Sequence, residues 1–370
     1  MLKPSHTNPI SATLAGLAQR IPGARVLQRL RPRAALGGQP QLGLRAAVEA
    51  PELEELTQRM RRVLAEPREA LDFQRFPRCL VTGATSGLGQ AVAHQLSDMG
   101  AALYLPTRRA RKPDGLEAQG STAAAHRLEV FPVDFGDLTT LTPVVEQLES
   151  EALDLVVLNA GVMTRVARPT TQGLESMFGV NYLATFAFLR HLLGARRLSV
   201  GGGTRIVIVS SEAHRSATPL KLEHLGGWVD FNAFTGMRQY SHSKLLLCTF
   251  AAELARRLSP EAATVWALCP GPVNSRIARE APALVRPALD LVMRLGFRSA
   301  EIAARPVVAL GTHPEFGGET GRYFHVEECK HMSEQAEDPL VGRELWEATE
   351  RLLTKLGHPV PPPDPIYLRN

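Results

Sequence analysis

From residue 78 onwards, short apolar runs alternate with longer amphipathic stretches. The apolar runs predict β-strands at 78–82, 101–106, 127–132, 153–159, 203–210, 262–268 and 321–326. The stretches between them have a helical composition and predict α-helices at 87–99, 139–150, 173–193, 239–258 and 299–310. Strands that are apolar throughout are typical of a parallel sheet that is buried on both faces. The pattern therefore predicts an α/β fold in which helices cover both sides of a parallel sheet.

The segments that flank this region differ from it in composition. Pro51, the acidic residues after it and an apolar face predict a helix over 51–66, packed on the outside of the main domain. Five prolines follow Leu356 and predict an extended, loose tail. We therefore expect a basic, partly helical N-terminal extension (1–74), a main α/β domain (75–357) and a proline-rich tail (358–370).

A glycine-rich turn follows the first predicted strand. Its sequence is Thr82-Gly83-Ala84-Thr85-Ser86-Gly87-Leu88-Gly89, with the glycines at the spacing G-x-x-x-G-x-G, and a helical stretch begins directly after it. A strand that turns tightly into a helix presents the positive, unpaired N–H groups of the helix N-terminus. Glycine lets a pyrophosphate approach this backbone closely. The turn predicts a dinucleotide site, although a plain β-to-α loop has the same composition.

Four further motifs follow the glycine turn in a fixed order. They are Asn159-Ala160-Gly161 with Asn181 after it, Ser210-Ser211 at the end of a strand, Tyr240-Ser241-His242-Ser243-Lys244, and Cys269-Pro270-Gly271-Pro272-Val273. This order resembles the short-chain dehydrogenase/reductase superfamily from about Arg78 to Leu353. The resemblance implies a Rossmann-type doubly wound parallel sheet flanked by helices, and oxidoreductase activity.

The interval between Ser211 and Tyr240 departs from the usual pattern of the superfamily. It spans 29 positions, which is longer than usual, and includes a segment at 222–228 that we expect to cover the active site. With the C-terminal Gly321-Arg322-Tyr323-Phe324, this resembles the retinol dehydrogenase and WW-domain oxidoreductase group. The three tryptophans, Trp228, Trp266 and Trp346, all lie outside the N-terminal extension, so the chain has no WW domain there.

The end of the second predicted strand indicates which cofactor is bound. An acidic residue at this point would select NAD, but the strand ends in Thr107-Arg108-Arg109. A guanidinium suits the 2′-phosphate of NADP, so we expect NADP(H) to be preferred over NAD(H), with two solvated arginines as the alternative. The resemblance implies the full set of cofactor-binding residues: Thr82, Gly83, Thr85, Ser86, Gly87, Leu88, Gly89, Arg108, Asp134, Asn159, Ala160, Gly161, Tyr240, Lys244, Pro270, Gly271 and Val273.

Tyr240 and Lys244 are the candidate catalytic pair. They are four residues apart in a helical stretch and therefore project from one face. A lysine ammonium beside a phenol stabilises the phenolate, which lets the tyrosine give or take a proton. The resemblance implies that Ser211, rather than Ser210, hydrogen-bonds the substrate oxygen. It also implies that Asn181 is a fourth catalytic residue, holding a water that links the lysine to solvent.

Charge and cysteine content limit the other functions open to the chain. Residues 1–48 contain seven Lys or Arg and no acidic residue, whereas the rest of the chain has 35 basic and 37 acidic residues. A nearly neutral catalytic region argues against a nucleic-acid-binding enzyme. Four cysteines without a C-x-x-C pair indicate a reducing compartment, and we expect the cytoplasm. The basic leader is open to three interpretations: a partly ordered structural segment, an interfacial segment touching anionic lipid, or an organellar transit peptide.

The segment from Asn274 to Phe297 corresponds to the variable substrate lid of the superfamily. It is rich in Leu, Val, Ala and Met, which favours a lipophilic alcohol or carbonyl such as a retinoid, sterol or aldehyde. A core-covering helix or a homo-oligomer surface would have the same composition. His214, His224 and His242 lie near the site, and we expect solvated loop histidines and no metal.

The leading functional prediction is an NADP(H)-dependent oxidoreductase that interconverts an alcohol and a carbonyl. Two alternatives remain at this point, a non-catalytic NADP-binding regulatory or scaffold protein and a pigment reductase of the protochlorophyllide type. The complete set of Asn181, Ser211, Tyr240 and Lys244 favours an enzyme.

Overall fold

A twisted sheet forms the centre of the protein, whose computed structural model describes residues 40–66, 77–109, 111–116, 128–148, 152–199, 203–273 and 298–369. Within these ranges the sheet has eight strands in the order β3-β2-β1-β4-β5-β6-β7-β8. The strands are β1 (Arg78–Val81), β2 (Ala102–Thr107), β3 (Leu128–Pro132), β4 (Leu155–Leu158), β5 (Thr204–Val209), β6 (Ala263–Cys269), β7 (Arg322–His325) and β8 (Glu328–Lys330). All neighbours are parallel except β7 and β8, which confirms the predicted α/β class.

The strand order reverses once, between β1 and β4. The chain adds β2 and β3 on one side of β1 and then crosses to place β4 on the other side, paired through Leu80 and Val156. In a doubly wound sheet, ligands bind beyond the carboxyl ends of the strands at such a reversal. The glycine turn follows β1 and Asn159 follows β4, so both motifs lie at this point.

Helices cover both faces of the sheet. They are α1 (Pro40–Ala65), α2 (Gly87–Asp98), α3 (Leu141–Gln147), α4 (Ser176–Phe178), α5 (Ala184–Gly194), α6 (Gly236–Arg257), α7 (Ala300–Thr312), α8 (Glu334–Glu337) and α9 (Pro339–Lys355). A π turn, Gly179–Leu183, joins α4 to α5. Short 3-10 turns lie at Leu138–Thr140, Glu212–Ser216, Leu222–His224, Pro314–Phe316 and Pro365–Tyr367.

Two hydrophobic cores result, one on each face. On one face Phe186 of α5 packs against Phe250 of α6 and Trp346 of α9, with ring centroids 5.1 and 5.0 Å away. The other core contains residues of α2 and α7 together with Leu56 and Met60 of α1. Burial on both faces explains why β4 and β6 are buried along their whole length.

The N-terminal helix begins earlier than the position of Pro51 predicts. Helix α1 starts at Pro40 and contains Pro51, although proline is favoured only in the first turn. The preceding residues are rich in Leu, Arg and Ala, which favour helix strongly enough to include it. Contacts divide the chain into residues 1–50 and 51–370, and the sheet lies in the second unit. Residues 1–39 of the basic leader lie outside the described residues.

Three elements near the C-terminus differ from the sequence prediction. Strand β8 forms a hairpin with β7, and neither this strand nor helices α8 and α9 were predicted. Helix α9 begins with a recognisable signal: the Asp338 carboxylate accepts a hydrogen bond from Leu340 N, with Pro339 in the first turn. The helix buries Leu345, Trp346 and Leu353.

The proline-rich tail is docked, so the expectation of a loose segment is wrong. Tyr367 is fully buried and its hydroxyl donates to Leu198 O at 2.8 Å. Ser259 N donates to the Tyr367 carbonyl at 2.8 Å, and Arg196 pairs with Asp364. One buried aromatic ring and these bonds hold a segment whose composition alone suggested mobility.

Candidate active site

The glycine turn between β1 and α2 is built for close approach to its backbone. Gly83 and Gly87 have φ values of +69° and +56°, which favour glycine. A Cβ at Gly89 would overlap the Gly83 carbonyl oxygen and the Asn159 amide nitrogen. Helix α2 begins at Gly87, and the Ser86 side chain makes no capping hydrogen bond to its first turn. The arrangement fits the pyrophosphate of a dinucleotide, since the helix N-terminus is presented beyond the sheet.

Thr82 ties the ends of β1 and β4 together. Its hydroxyl oxygen accepts hydrogen bonds from Asn159 N and Ala160 N, both at 2.9 Å. The Asn159 side chain donates back to Thr82 O at 3.0 Å. The segment from Asn159 to Gly161 is thereby held beside the glycine turn.

The carboxyl ends of β2 and β3 lie at the same edge of the sheet as the glycine turn. Val133 N donates to Thr107 O at 2.9 Å, and Arg108 and Asp134 directly follow these two residues in the chain. Both Arg108 and Asp134 are exposed. Asp134 Oδ1 accepts from Gly136 N at 2.8 Å, so the carboxylate is oriented by its own turn.

The candidate cofactor-binding residues Pro270, Gly271 and Val273 follow the carboxyl end of β6, at the same edge of the sheet. Gly271 has a φ of +76°, and Arg298 N donates to Pro272 O at 2.9 Å. The candidate lid, residues 274–297, lies outside the described residues.

Tyr240 and Lys244 lie one turn apart on α6, as their spacing predicts. Lys244 is buried, its Nζ donates to Val209 O at 3.1 Å, and it lies 5.7 Å from the centroid of the Tyr240 ring. Tyr240 is half-buried. The lysine charge is therefore held between the end of β5 and the phenol.

Asn181 lies in the π turn and is completely buried. Its Nδ2 donates to Ser243 Oγ and to Val162 O, both at 3.0 Å, and its Oδ1 accepts from Val162 N at 2.7 Å. Ser243 Oγ in turn donates to Tyr240 O at 2.8 Å. One chain of hydrogen bonds thus joins the segment after β4 to the helix that carries Tyr240 and Lys244.

The two serines at the end of β5 have different surroundings. Ser210 is buried, with its hydroxyl 3.3 Å from Lys244 O and 3.0 Å from Cys248 Sγ. Ser211 is half-buried, and its hydroxyl oxygen accepts only a turn hydrogen bond from Ala213 N at 3.2 Å among the contacts of the described residues. Its own hydrogen remains available to a substrate oxygen.

His214 is a functional candidate whose environment the sequence did not reveal. It is buried rather than solvated, its Nδ1 lies 2.7 Å from Ser211 O, and its Nε2 accepts from Ser333 N at 3.1 Å. Because a backbone N–H can only donate, the ring proton lies on Nδ1 and is donated to Ser211 O. Burial lowers the pKa of His214, and the hydrogen bond to Ser211 opposes this in part. The neutral ring holds Ser211 against the segment after β8.

Glu212 fixes the same loop from its other side. The Tyr323 hydroxyl donates to Glu212 Oε1 at 2.8 Å, and Arg215 and Lys330 lie 3.1 and 3.6 Å from Oε2. Burial alone would raise the pKa of Glu212, but these partners lower it overall. Strands β7 and β8 therefore position the loop that begins at Ser211.

We predict that His214→Gln makes the protein less stable by about 1 to 3 kcal/mol near pH 7, because two buried hydrogen bonds are weakened. The folded-state pKa of His214 is lowered, so the unfolded chain takes up its proton first as the pH falls through about 6.5. Native stability should consequently fall from pH 7 to 5, and the His214→Gln enzyme should show a shallower fall in urea titrations. His224→Gln, at an exposed histidine, is the matched control. If the free energy of unfolding has the same pH dependence in both variants, the lowered pKa of the buried His214 does not contribute to stability and the prediction fails.

The sequence and the fold resemble those of known proteins. The family model of short chain dehydrogenases matches residues 78–222. Retinol dehydrogenase 14 of Mus musculus is 34% identical over 289 residues, covering 73% of this chain and 84% of that protein. Polyprenol dehydrogenase of Mus musculus is 32% identical over 282 residues, covering 74% and 82%. A solved structure of a protein from Mycobacterium Paratuberculosis has the same fold, with a TM-score of 0.60, 24% identity and coverage of 80% and 99%.

The chain belongs to the short-chain dehydrogenase family and to its retinol dehydrogenase-like group. It is accordingly an oxidoreductase that binds a nicotinamide dinucleotide, as the motifs predicted. None of the helices in the described ranges combines the length and the hydropathy that a bilayer span requires.

Proposed function

We propose that the protein is an NADP(H)-dependent oxidoreductase that interconverts a lipophilic alcohol and the corresponding carbonyl compound. The observation that carries this proposal is a chain of hydrogen bonds from Asn181 in the π turn to Ser243 and Tyr240 on α6, beside the buried Lys244. A tyrosine and a lysine that merely formed a pair on the protein surface would not require the buried amide of Asn181 or the buried ammonium of Lys244.

A bound nicotinamide dinucleotide supplies or accepts the hydride. In reduction, the Tyr240 hydroxyl donates a proton to the carbonyl oxygen, and in oxidation the phenolate removes it. Lys244 stabilises the phenolate because its ammonium is held near the ring, away from bulk water. The Ser211 hydroxyl donates to the same substrate oxygen as negative charge develops there.

Asn181 acts by positioning. Its amide joins Val162, which follows the cofactor-binding segment Asn159–Gly161, to Ser243 on α6. The cofactor-binding segment and the proton-donating helix therefore keep a fixed separation. In the same proposal, the glycine turn holds the pyrophosphate, Asp134 the adenine and Lys244 the nicotinamide ribose.

We predict that NADPH binds more tightly than NADH and that Arg108→Ala removes most of this preference. Arg108 is exposed at the end of β2, where an acidic residue would repel the 2′-phosphate. A charge-assisted hydrogen bond contributes about 1.5 to 3 kcal/mol, so the dissociation constant for NADPH should rise about 10- to 100-fold. The affinity for NADH should hardly change. Fluorescence titration of both cofactors measures this.

Arg109→Ala is the matched control for this titration. Arg109 is the exposed neighbour of Arg108 and carries the same charge. Either variant lowers the local positive potential by the same amount. A larger loss of NADPH affinity in Arg108→Ala than in Arg109→Ala therefore indicates a specific contact between Arg108 and the 2′-phosphate. Equal effects of the two variants, or equal native affinities for both cofactors, would contradict the assignment.

The lipophilic substrate class is supported by the relatives and by the sequence of the lid. The related proteins are called retinol dehydrogenase and polyprenol dehydrogenase, names that refer to long apolar alcohols. Residues 274–297 are rich in aliphatic side chains. NADPH consumption with long-chain and cyclic aldehydes and ketones, compared with short polar ones, tests the class. A preference for the short polar compounds would overturn it.

A further inference from the structure

Large apolar side chains are exposed on two segments close to Tyr240. One segment follows β4 and the other precedes and begins α6; together they expose Met163, Val166, Trp228, Val229, Phe234 and Met237. Phe234 is 95% exposed, so nearly its whole ring lies in water. Single exposed apolar residues are ordinary, but a group beside a functional site indicates a binding surface. We call these six residues the exposed apolar surface.

The two segments contact each other. The position of a Cβ at Gly236 lies 3.1 Å from Thr164 O, and Thr164 lies between Met163 and Val166 in the chain. Gly236 itself lies between Phe234 and Met237. The two segments that carry the exposed apolar surface therefore meet at Gly236 and Thr164.

Local hydrogen bonds hold the most exposed side chains in place. Asn232 Oδ1 accepts from Phe234 N at 3.0 Å, which forms a tight turn with Phe234 at its tip. Trp228 Nε1 donates to Asp230 Oδ1 at 2.9 Å, so the indole is oriented although half of it is exposed. These turns present aromatic rings outward instead of folding them into the core.

Exposed arginines border this surface. Arg165, Arg168 and Arg238 are all exposed, whereas Asp230 is the sole acidic residue in the sequence of 162–170 and 226–240. Aromatic and aliphatic side chains bordered by arginine match the interface of an anionic lipid bilayer, where rings enter the headgroup region and guanidinium groups meet phosphate. A symmetric contact with a second copy would place three arginines and one aspartate from each copy in a single interface, and this excess of like charge is unfavourable.

We propose that the exposed apolar surface docks the catalytic unit onto bilayers containing anionic phospholipid. The docking stands on the exposed residues and their charges and does not depend on the proposed function. Met237 lies three residues before Tyr240 on α6, so docking places the mouth of the site at the lipid surface. If the proposed function is correct, a lipophilic substrate enters from the bilayer without crossing water.

The tryptophans of this chain provide a direct readout. Trp228 is 46% exposed, whereas Trp266 and Trp346 are 0% and 3% exposed, so a solvent-sensitive change in emission reports on Trp228. Vesicles of phosphatidylcholine with phosphatidylserine should shift the emission of the full chain to shorter wavelength. Brominated lipids should quench it, and phosphatidylcholine alone should do so much less. Trp228→Phe should abolish the shift.

Paired variants locate the binding energy on this surface. Phe234→Ser combined with Met237→Ser should weaken sedimentation with anionic vesicles by about tenfold or more, because two apolar side chains no longer enter the bilayer. Leu340→Ser is the matched control, since Leu340 is 61% exposed on α9, outside the exposed apolar surface. Arg238→Gln should weaken binding to anionic vesicles only. Circular dichroism checks that all variants are folded.

Three results would overturn the proposal. The first is vesicle binding by the full chain without a change in Trp228 emission, which would assign the binding to the basic leader. The second is equal binding by the Phe234/Met237 and Leu340 variants. The third is a native oligomer that the Phe234/Met237 variant dissociates, which would assign the surface to contacts between copies of the chain. None of these readouts uses enzymatic activity.

Discussion

Tyr240→Phe is expected to lower turnover by about 10²- to 10⁴-fold, the range that general acid–base catalysis usually contributes. The substitution removes the one hydroxyl that the proposal assigns to proton transfer and keeps the half-buried ring. The contact of the ring with the Lys244 ammonium, at 5.7 Å, is kept as well. Steady-state rates of NADPH oxidation, with a carbonyl compound that the native enzyme reduces, measure the loss.

The control for this result is cofactor affinity. Tyr240→Phe should bind NADPH with nearly native affinity, because the glycine turn and the segment after β4 are untouched. A variant that keeps near-native turnover would show that another acid donates the proton, with His242 the first to test. His242 lies two residues after Tyr240 on α6, and burial lowers the pKa of its imidazole.

Lys244→Met should lower both turnover and cofactor affinity, with a turnover loss at least as large as that of Tyr240→Phe. Methionine fills much of the same volume, but the ammonium that stabilises the phenolate is lost. Its hydrogen bond to Val209 O, at 3.1 Å, is lost too, so the end of β5 is held less firmly beside α6. Rates and NADPH dissociation constants, measured on one preparation, separate the two effects.

Lys221→Met is the matched control, because Lys221 is exposed and lies in the long interval between Ser211 and Tyr240. It changes the net charge by the same amount without touching the buried pair. If both lysine variants lose activity equally, the effect is one of general charge, and the proposed role of Lys244 fails.

The sheet could be predicted because each central strand is buried on both faces. Leu155–Leu158 is wholly apolar and Ala263–Cys269 is apolar except for Thr264, and both are buried along their whole length, which leaves few other structures open to them. Strand β8 escaped prediction because three residues at a sheet edge, two of them charged, carry no periodic signal. Helix α9 had a signal in Asp338-Pro339, but this signal follows a polar stretch without helical periodicity.

One part of the candidate site could be predicted because local helix geometry determines it. Spacing alone brings Tyr240 and Lys244 to one face of a helix, and it does not require knowledge of the neighbouring strands. The burial of His214 and the docking of Tyr367 depend on elements more than 100 positions away in sequence, namely Ser333 and Leu198. Local composition suggested solvated residues in both cases because it contains no information about such partners.

The surroundings of Ser210 and Ser211 illustrate the same limit. Both follow β5, and the choice between them rested on the family pattern. The structure shows that their surroundings differ, since the Ser210 hydroxyl is engaged by Lys244 O and Cys248 Sγ on α6. The Ser211 hydroxyl has its hydrogen available beside the candidate site.

The most direct test of the central claim is hydride transfer by the native protein. The protein is incubated with NADPH carrying deuterium on the transferable position of the nicotinamide and with a lipophilic aldehyde, and the products are analysed by mass spectrometry. The account predicts an alcohol with one deuterium on the former carbonyl carbon, formed by the native protein and at least 10²-fold more slowly by Tyr240→Phe. Tight NADPH binding with no deuterated alcohol from any aldehyde or ketone tested would contradict the account and favour a non-catalytic nucleotide-binding protein.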